Sequence, residues 1–177
     1  MAKWKIDPDH SVAAFKVRHM MIAHVRGQFN KLSGAAEFDQ ADPSSFALEV
    51  VIETAGLYTG IVKRDAHLQS SDFFDVAIYP AISFKSNIFK GDAKGGRLSG
   101  DLTIHGITRP VTIDLIFSGP VKSPEDLGGE ITLGITGIAK IDREEFDLTW
   151  NVPLEDGGLL VGKEISIALD LELDLEK

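Results

Sequence analysis

Five histidines are the side chains of this sequence best suited to acid–base or metal chemistry: His10, His19, His24, His67 and His105. A neutral imidazole binds zinc, and its ordinary pKa lets it transfer protons near neutral pH. The spacing of the histidines, however, matches neither an HxH pair nor the HExxH motif of zinc hydrolases, and no serine occupies a nucleophile elbow. We therefore assign no catalytic residue, no metal ligand and no cofactor from the sequence.

A charged segment, residues 63–84, interrupts a chain whose other parts have strand-like alternation. Arg64 and His67 stand three residues apart and share one face if the segment is helical. They either contact the polar headgroup of a ligand or pair with nearby aspartates to anchor the segment. His19 is a further candidate for contact with a headgroup.

Two adjacent phenylalanines, Phe73 and Phe74, lie in the same segment. Aromatic rings bury a large apolar area, so a pair of them outside a strand needs an interior to occupy. One ring can enter the interior while the other meets its wall or a partner. The pair either lines one end of a cavity as a lid or completes the core as a plug.

The chain has 177 residues, a net charge of −9 and no cysteine. This length suits one domain, residues 1–177, with a sizeable core. The acidic balance argues against nucleic-acid binding and disfavours adhesion to an anionic membrane, because both require clustered Lys and Arg. Without cysteine the chain has no disulfide and no thiolate chemistry.

The N-terminal residues MAKWKIDPDHS contain no apolar stretch of the kind that a signal peptide carries. We expect a cytoplasmic protein on this ground, or a periplasmic one if the natural chain carries a signal ahead of Met1. No apolar run reaches the roughly 18 residues of a transmembrane helix, so no stable membrane insertion is expected.

Alternation of apolar and polar residues is the main structural signal. In residues 165–175 every second residue is Ile or Leu, and those between are small or acidic. Strict alternation of this kind indicates a strand with one buried face. Similar segments, separated by turn residues, give about eight antiparallel strands, with residues 25–34 as the second.

The C-terminal strand would be roughly 35 Å long, and such a strand is an aggregation-prone edge unless it pairs on both sides. Closing the sheet removes all edges, and eight strands enclose either packed side chains or one small ligand. A solid two-sheet sandwich has the same alternation, so the pattern favours a barrel without excluding a sandwich.

The inward residues of such a barrel carry no charge, and they would either line a tunnel or form a dry core. The residues predicted to line the tunnel are Phe15, Val17, Val50, Ile52, Phe73, Phe74, Phe84, Leu102, Ile104, Leu115, Phe117, Leu133 and Ile135. A hydrocarbon chain bound there would be held by buried area, at about 0.8 kcal/mol per methylene.

Four blocks of the sequence resemble those of the YceI-like family and occur in the same order. They are residues 4–29 with WKIDPDHS, FKVRHM and GQF, residues 64–80 with RDAHL and DFFD, residues 100–111 with GDLTIHGITRPV, and residues 141–146 with IDREEF. Asp147 stands where the family commonly has glycine, so this turn is expected to differ.

The resemblance implies an all-β fold: an eight-stranded antiparallel, lipocalin-like barrel with a short helical insert around residues 63–75. It implies a non-enzymatic protein that binds a polyisoprenoid, an isoprenoid quinone or a similar long-chain lipid in an apolar tunnel, for sequestration, transport or storage. The alternative is an enzyme that acts on an isoprenoid or aliphatic substrate with His67, Arg64 and His19 at the cavity. Family members often form dimers, so we expect a homodimer. Many members are exported, whereas this sequence shows no export signal.

Overall fold

A computed structural model describes residues 1–39 and 41–176 of the chain. It consists mainly of strands, with a single α-helix within these ranges. In chain order the elements are β1 (Ala2–Ile6), β2 (Val12–His19), β3 (Ala23–Phe29), β4 (Leu32–Phe38), β5 (Ala47–Glu53), β6 (Leu57–Tyr58), α1 (Val62–Gln69), β7 (Ala81–Asp92), β8 (Gly95–Ile104), β9 (Ile107–Lys122), β10 (Ile131–Asp142) and β11 (Val161–Leu175).

Eight of the strands form a closed antiparallel ring. They are hydrogen-bonded in the order β1, β4, β5, β7, β8, β9, β10 and β11, and β1 pairs with β11 to complete the ring. The closing pairs join Trp4 to Leu175 and Ile6 to Leu173. The expected eight-stranded antiparallel barrel is therefore confirmed, and the sandwich alternative is wrong.

The first two strands of the barrel are each broken into two pieces. β1 and β2 follow one another along β11, separated by a turn at residues 7–11, and their partners β4 and β3 are separated at Asn30 and Lys31. The single strand expected at residues 25–34 is thus the end of β3 and the start of β4. β3 pairs with β2, and β4 pairs with β1. Because the chain bends between β1 and β2, the paired chain also bends between β3 and β4.

β11 has the alternation that the sequence predicts, and it begins at Val161, ahead of the expected start at residue 165. Leu169, Leu171 and Leu173 are buried, whereas the residues between them are exposed or half-buried. The apolar face of this strand therefore points into the barrel along its whole second half.

The barrel wall is interrupted after β5. β5 pairs with β7 as far as Glu53 and Ala81, and the chain then turns away through Thr54–Gly56 so that β6 pairs with β3. Residues 59–80, which we call the insert, connect β6 to β7 and contain α1. The helical insert expected around residues 63–75 is confirmed as α1 followed by turns. No helix within the described ranges is long and apolar enough to span a bilayer.

Candidate functional site

An internal cavity occupies one half of the barrel. Its lining comes from β2, from the end of β3, from the second halves of β5, β8 and β10 and from the first halves of β7 and β9, with residues 161–169 of β11. In an antiparallel barrel these halves meet at the same end. The β2–β3 and β8–β9 hairpins, the β10–β11 connection and the insert lie there too. We call this end the cavity end and the opposite one the packed end.

Most of the residues predicted to line a tunnel lie on this cavity. They are Phe15, Val17, Val50, Ile52, Phe73, Phe74, Phe84, Leu102 and Ile104. Sequence reasoning missed the other apolar residues of the lining: Ala13, Ala14, Phe29, Leu68, Ile82, Val111, Ile113, Ala139, Ile141, Leu148, Val161, Ile165, Ile167 and Leu169. Several of these, such as Ile141 and Ile165, continue the same alternation and were predictable from it.

The cavity has a volume of about 160 Å³. An apolar protein cavity of about 150 Å³ is large enough to hold benzene. Within the described residues, every lining side chain except that of Arg143 is apolar. A hydrocarbon group the size of one ring therefore fits without rearrangement, whereas a long chain has to displace lining side chains or extend out of the cavity.

Four residues predicted to line the tunnel lie instead in the packed end: Leu115, Phe117, Leu133 and Ile135. There the ring of Phe117 lies 5.0 Å from that of Phe38 and 4.9 Å from that of Phe46, between centroids. Leu133 is 0% exposed. Alternation predicts which face a residue occupies but not how far along the barrel it lies, so it does not separate this packed set from the cavity.

Phe73 and Phe74 both border the cavity. The ring of Phe74 meets that of Phe29 edge-on, with centroids 5.5 Å apart. The ring of Phe73 packs against Trp150, in the β10–β11 connection, at 5.3 Å. Each ring thus joins the insert to a different part of the wall, and neither points away from the barrel to a partner.

Arg64 and Asp65 hold α1 to Thr59, the first residue of the insert, which follows β6 directly. Arg64 donates from Nε to the hydroxyl of Thr59 and from NH2 to its carbonyl oxygen, both at 2.8 Å. The carboxylate of Asp65 accepts the backbone N–H of Thr59 at 2.9 Å. The sequence left two roles open for Arg64, contact with a headgroup and structural anchoring. Its bonds to Thr59 fit the structural role, because they hold α1 in place.

His67 and His19 also lie away from the cavity. Nε2 of His67 is 2.8 Å from the carboxylate of Asp72, and its ring packs edge-on against Trp150 at 4.7 Å. His19 ends β2, where it pairs with Ala23. The cavity lining in the described part of the chain includes neither histidine and does not include Arg64. The three side chains expected to contact a headgroup therefore do not converge on one site.

Arg143 is the polar side chain of the cavity that sequence reasoning missed. It follows β10, is 3% exposed and belongs to the lining. Its guanidinium donates to four backbone carbonyls of the β10–β11 connection and the start of β11: Gly162 at 2.8 Å, Trp150 at 3.1 Å, Val161 at 3.3 Å and Leu148. The signal available in the sequence was one arginine between the apolar residues Ile141 and Phe146.

The charge of Arg143 is stabilised by these carbonyls rather than by a salt bridge. Burial lowers the pKa of the guanidinium from its ordinary value, and the nearby carboxylates of Glu144 and Asp142 act in the opposite direction. No carboxylate among the described residues forms an ion pair with it. A guanidinium has five N–H donors, so the four bonds leave one N–H, on NH2, without an acceptor among the described residues.

Asp7, His10 and Glu172 form the one group within the described ranges whose donor atoms lie within 4.8 Å of one another. Nδ1 of His10 is 2.6 Å from the carboxylate of Asp7 and 3.9 Å from that of Glu172. The bond to Asp7 raises the pKa of His10 and lowers that of Asp7. This exposed pairing accounts for the arrangement, and we assign no metal to it.

A closed eight-stranded antiparallel barrel with an apolar cavity at one end defines a lipocalin-like barrel protein. The family model of the YceI-like domain matches residues 4–173. The chain therefore belongs to the YceI-like family, and the resemblance seen in the sequence is confirmed.

Relatives and solved structures cover nearly the whole chain. UPF0312 proteins of Staphylococcus aureus are 32% identical over 177 residues, which is 100% of both chains. The YCEI protein of Campylobacter jejuni is 29% identical, with a TM-score of 0.74 over 90% of each chain. BcnA of Burkholderia cenocepacia is 22% identical, with a TM-score of 0.79 over 94% of this chain and 98% of its own. A polyisoprenoid binding domain from Saccharophagus degradans is 16% identical, with a TM-score of 0.70 over 98% of each. The last two show the fold alone.

Truncation of Leu133 tests the division between packed end and cavity. We expect Leu133→Ala to lower the free energy of unfolding by about 2–5 kcal/mol, because it leaves a void among packed side chains. Ile88→Ala is the matched control, since Ile88 is 57% exposed on the outer surface, and should change it by no more than about 0.5 kcal/mol. Urea denaturation measures both. Similar small losses for the two variants would contradict a packed end.

Proposed function

We propose that this protein binds a polyisoprenoid, an isoprenoid quinone or a similar long-chain lipid without chemically changing it, for sequestration, transport or storage. The observation that carries the proposal is the cavity, whose lining in the described residues is apolar except for Arg143. Hydrocarbon chains offer no hydrogen bonds, so such a lining holds them by buried area alone, at about 0.8 kcal/mol per methylene. The relative from Saccharophagus degradans, described as a polyisoprenoid binding domain, supports lipid binding in general.

The cavity is too small to enclose a whole long-chain lipid, so such a ligand needs additional space. A volume of about 160 Å³ encloses only a short part of a prenyl chain. Leu68, Phe73 and Phe74 reach the cavity from the insert. The insert is the part of the lining that can move, because side chains rather than a strand ladder attach it to the barrel. We infer that a long tail enters as the insert moves away from β3.

Arg143 supports a ligand with a polar head. It lies at the cavity end, where the free N–H of its NH2 can donate to a quinone carbonyl or another oxygen acceptor. A hydrogen bond from a charged donor contributes about 1.5–3 kcal/mol. The ligand would then lie with its head near Arg143 and its tail along the apolar lining on the side that the insert closes.

The non-enzymatic role is supported by the positions of the three side chains on which the enzyme alternative depends. Arg64 is bonded to Thr59 and His67 to Asp72, while His19 lies at the end of β2. A general acid or base has to lie within hydrogen-bonding reach of the reacting group. Recovery of a prenyl quinone of unchanged mass after incubation is the expected result, and a product of altered mass would favour the enzyme.

Filling the cavity tests where the lipid binds. Ala139 lies on the cavity lining in β10, and Ala139→Phe adds a ring of about the size that the cavity accommodates. We expect this variant to bind a benzoquinone with a multi-isoprene tail at least tenfold more weakly, measured by native mass spectrometry and by quenching of tryptophan fluorescence. Lys140→Phe adds the same ring to the exposed outer face and should bind normally. Equal binding by both variants would place the lipid outside the cavity.

The role of Arg143 is tested with two ligands that differ only at the head. We expect hexadecanoic acid to bind the wild-type protein about tenfold more tightly than its methyl ester, since the carboxylate accepts a stronger hydrogen bond from a guanidinium. Titration calorimetry measures the ratio. In Arg143→Lys, which keeps the charge but not the forked geometry, the ratio should shrink. A wild-type ratio near one would show that Arg143 serves the fold alone.

We also propose a homodimer. Ile116 and Ile138 are both 63% exposed and lie as neighbours on the outer face of β9 and β10, where a second barrel could cover them. Light scattering after gel filtration is expected to give twice the 19.2 kDa of one chain, and Ile138→Lys is expected to give a monomer. A monomeric wild-type protein would overturn this proposal without affecting lipid binding.

A further inference from the structure

We propose that the β2–β3 hairpin docks the cavity end of the barrel onto an anionic lipid bilayer. The hairpin consists of β2, β3 and the turn at residues 20–22, and its tip belongs to the end where the cavity lies. The purpose of docking rests on the proposed lipid-binding function, but attachment of the hairpin to a bilayer needs no ligand in the cavity.

The turn at the tip of the hairpin is made by two methionines in an unfavourable backbone conformation. Met20 and Met21 have φ angles of 50° and 59°, and the N–H of Ile22 donates to the carbonyl of His19 at 3.2 Å. A two-residue turn with both φ angles positive favours Asn and Gly, because a side chain is strained there. The β8–β9 hairpin places Gly106 in its equivalent turn. The β2–β3 tip therefore keeps apolar side chains where the backbone disfavours them.

The tip is also exposed. Met20 and Met21 are each 42% exposed and Ile22 is 78% exposed. These three consecutive apolar residues project from the barrel without covering its core. Apolar side chains at the tip of a projecting loop are suited to the boundary between lipid headgroups and acyl chains.

Positive side chains flank the tip on the outer face of the hairpin. Lys16 lies opposite Arg26, and Arg18 lies opposite His24. Residues opposite one another in antiparallel strands project on the same side with Cβ atoms about 4.5–5.5 Å apart, and like charges there repel. No carboxylate in the described part of the chain forms an ion pair with Lys16, Arg18 or Arg26. Besides desolvation, the charges of Arg18, Lys16 and Arg26 lower the pKa of His24.

An anionic bilayer offsets two of these unfavourable features, the exposure of the apolar tip and the repulsion between the cations. Its interface takes up the apolar tip, and its phosphates neutralise cations that otherwise repel one another. The net charge of −9 opposes a general adhesion to anionic lipid, so the attraction is confined to the hairpin and should weaken with salt. The acidic residues of the cavity end, including Asp72, Glu155 and Asp156, belong to other segments. Docking in this way places the cavity end against the membrane from which a lipid would enter.

The charged part of the surface is tested by co-sedimentation with vesicles. We expect the wild-type protein to bind phosphatidylcholine vesicles that contain phosphatidylglycerol and not vesicles of phosphatidylcholine alone. The triple variant Lys16→Gln, Arg18→Gln and Arg26→Gln should lose affinity by on the order of 100-fold, about fivefold for each cation. The matched control, Lys3→Gln, Lys90→Gln and Lys94→Gln, removes three exposed lysines elsewhere and should bind as the wild type does.

The apolar tip is tested with a single fluorophore, because the chain contains no native cysteine. A polarity-sensitive label on Ile22→Cys should shift to shorter wavelength when anionic vesicles are added. The same label on Leu127→Cys, which is 72% exposed in another loop, should not shift. Equal responses at the two positions, or no loss of binding in the hairpin triple variant, would overturn the proposal, as would binding that depends on an acidic protein rather than on lipid.

These experiments distinguish a failure of docking from a failure of lipid uptake. Ala139→Phe should dock as the wild type does although its cavity is filled. If the wild-type protein docks on vesicles but takes up no lipid, the proposed function is wrong and the docking surface stands. If it takes up lipid but the hairpin variant still docks normally, the docking surface is wrong.

Discussion

The structure depends on the pairing of β1 with β11, which closes the sheet. Only a few residues of β1 take part, with Trp4, Lys5 and Ile6 opposite the end of β11. Once the ring is closed, every strand has one face turned toward the same interior, and that face has to be apolar because no water remains to hydrate it. The phenylalanines of the packed end fill this interior completely at the point where the ring closes, and the space that is left lies toward the other end.

The cavity end differs because the wall there is not continuous. Thr54 marks the point of departure: its hydroxyl donates to the carbonyl of Tyr79 at 2.9 Å, so the two margins of the gap are held together where β5 and β7 part. Beyond this point the insert takes the place of a strand pair. Its contacts with the rest of the wall include the packing of Phe74 on Phe29 and of Phe73 on Trp150, while Arg64 and Asp65 hold α1 to Thr59 at the start of the insert. These contacts involve side chains, whereas the rest of the wall is joined by backbone ladders.

Period-2 alternation and its interruption are local properties, so they were sufficient to predict the inward face of the strands and the place of the insert. Alternation only favoured a closed barrel over a sandwich, and the family resemblance was needed to specify the barrel. The sequence could not show that Leu133 lies in the packed end and Leu102 on the cavity, since both are inward leucines. The position of each along the barrel axis depends on where its strand begins in the ring. Arg143 was beyond local reasoning for another reason. Its burial depends on carbonyls such as those of Leu148 and Val161, which the fold brings to it from the following connection.

The attachment of the insert by side chains has a consequence for the residence time of a bound lipid. Phe73 and Phe74 belong to the same short segment and close the same side of the cavity. A lipid that fills the cavity can leave only as fast as this segment opens, and local opening of such a segment is slower than diffusion. Tail length and headgroup would then set how much lipid is bound at equilibrium, while the segment would set a common dissociation rate for lipids of different affinity. If the proposed lipid binds in the cavity, the opening of the insert would set how long the barrel holds it.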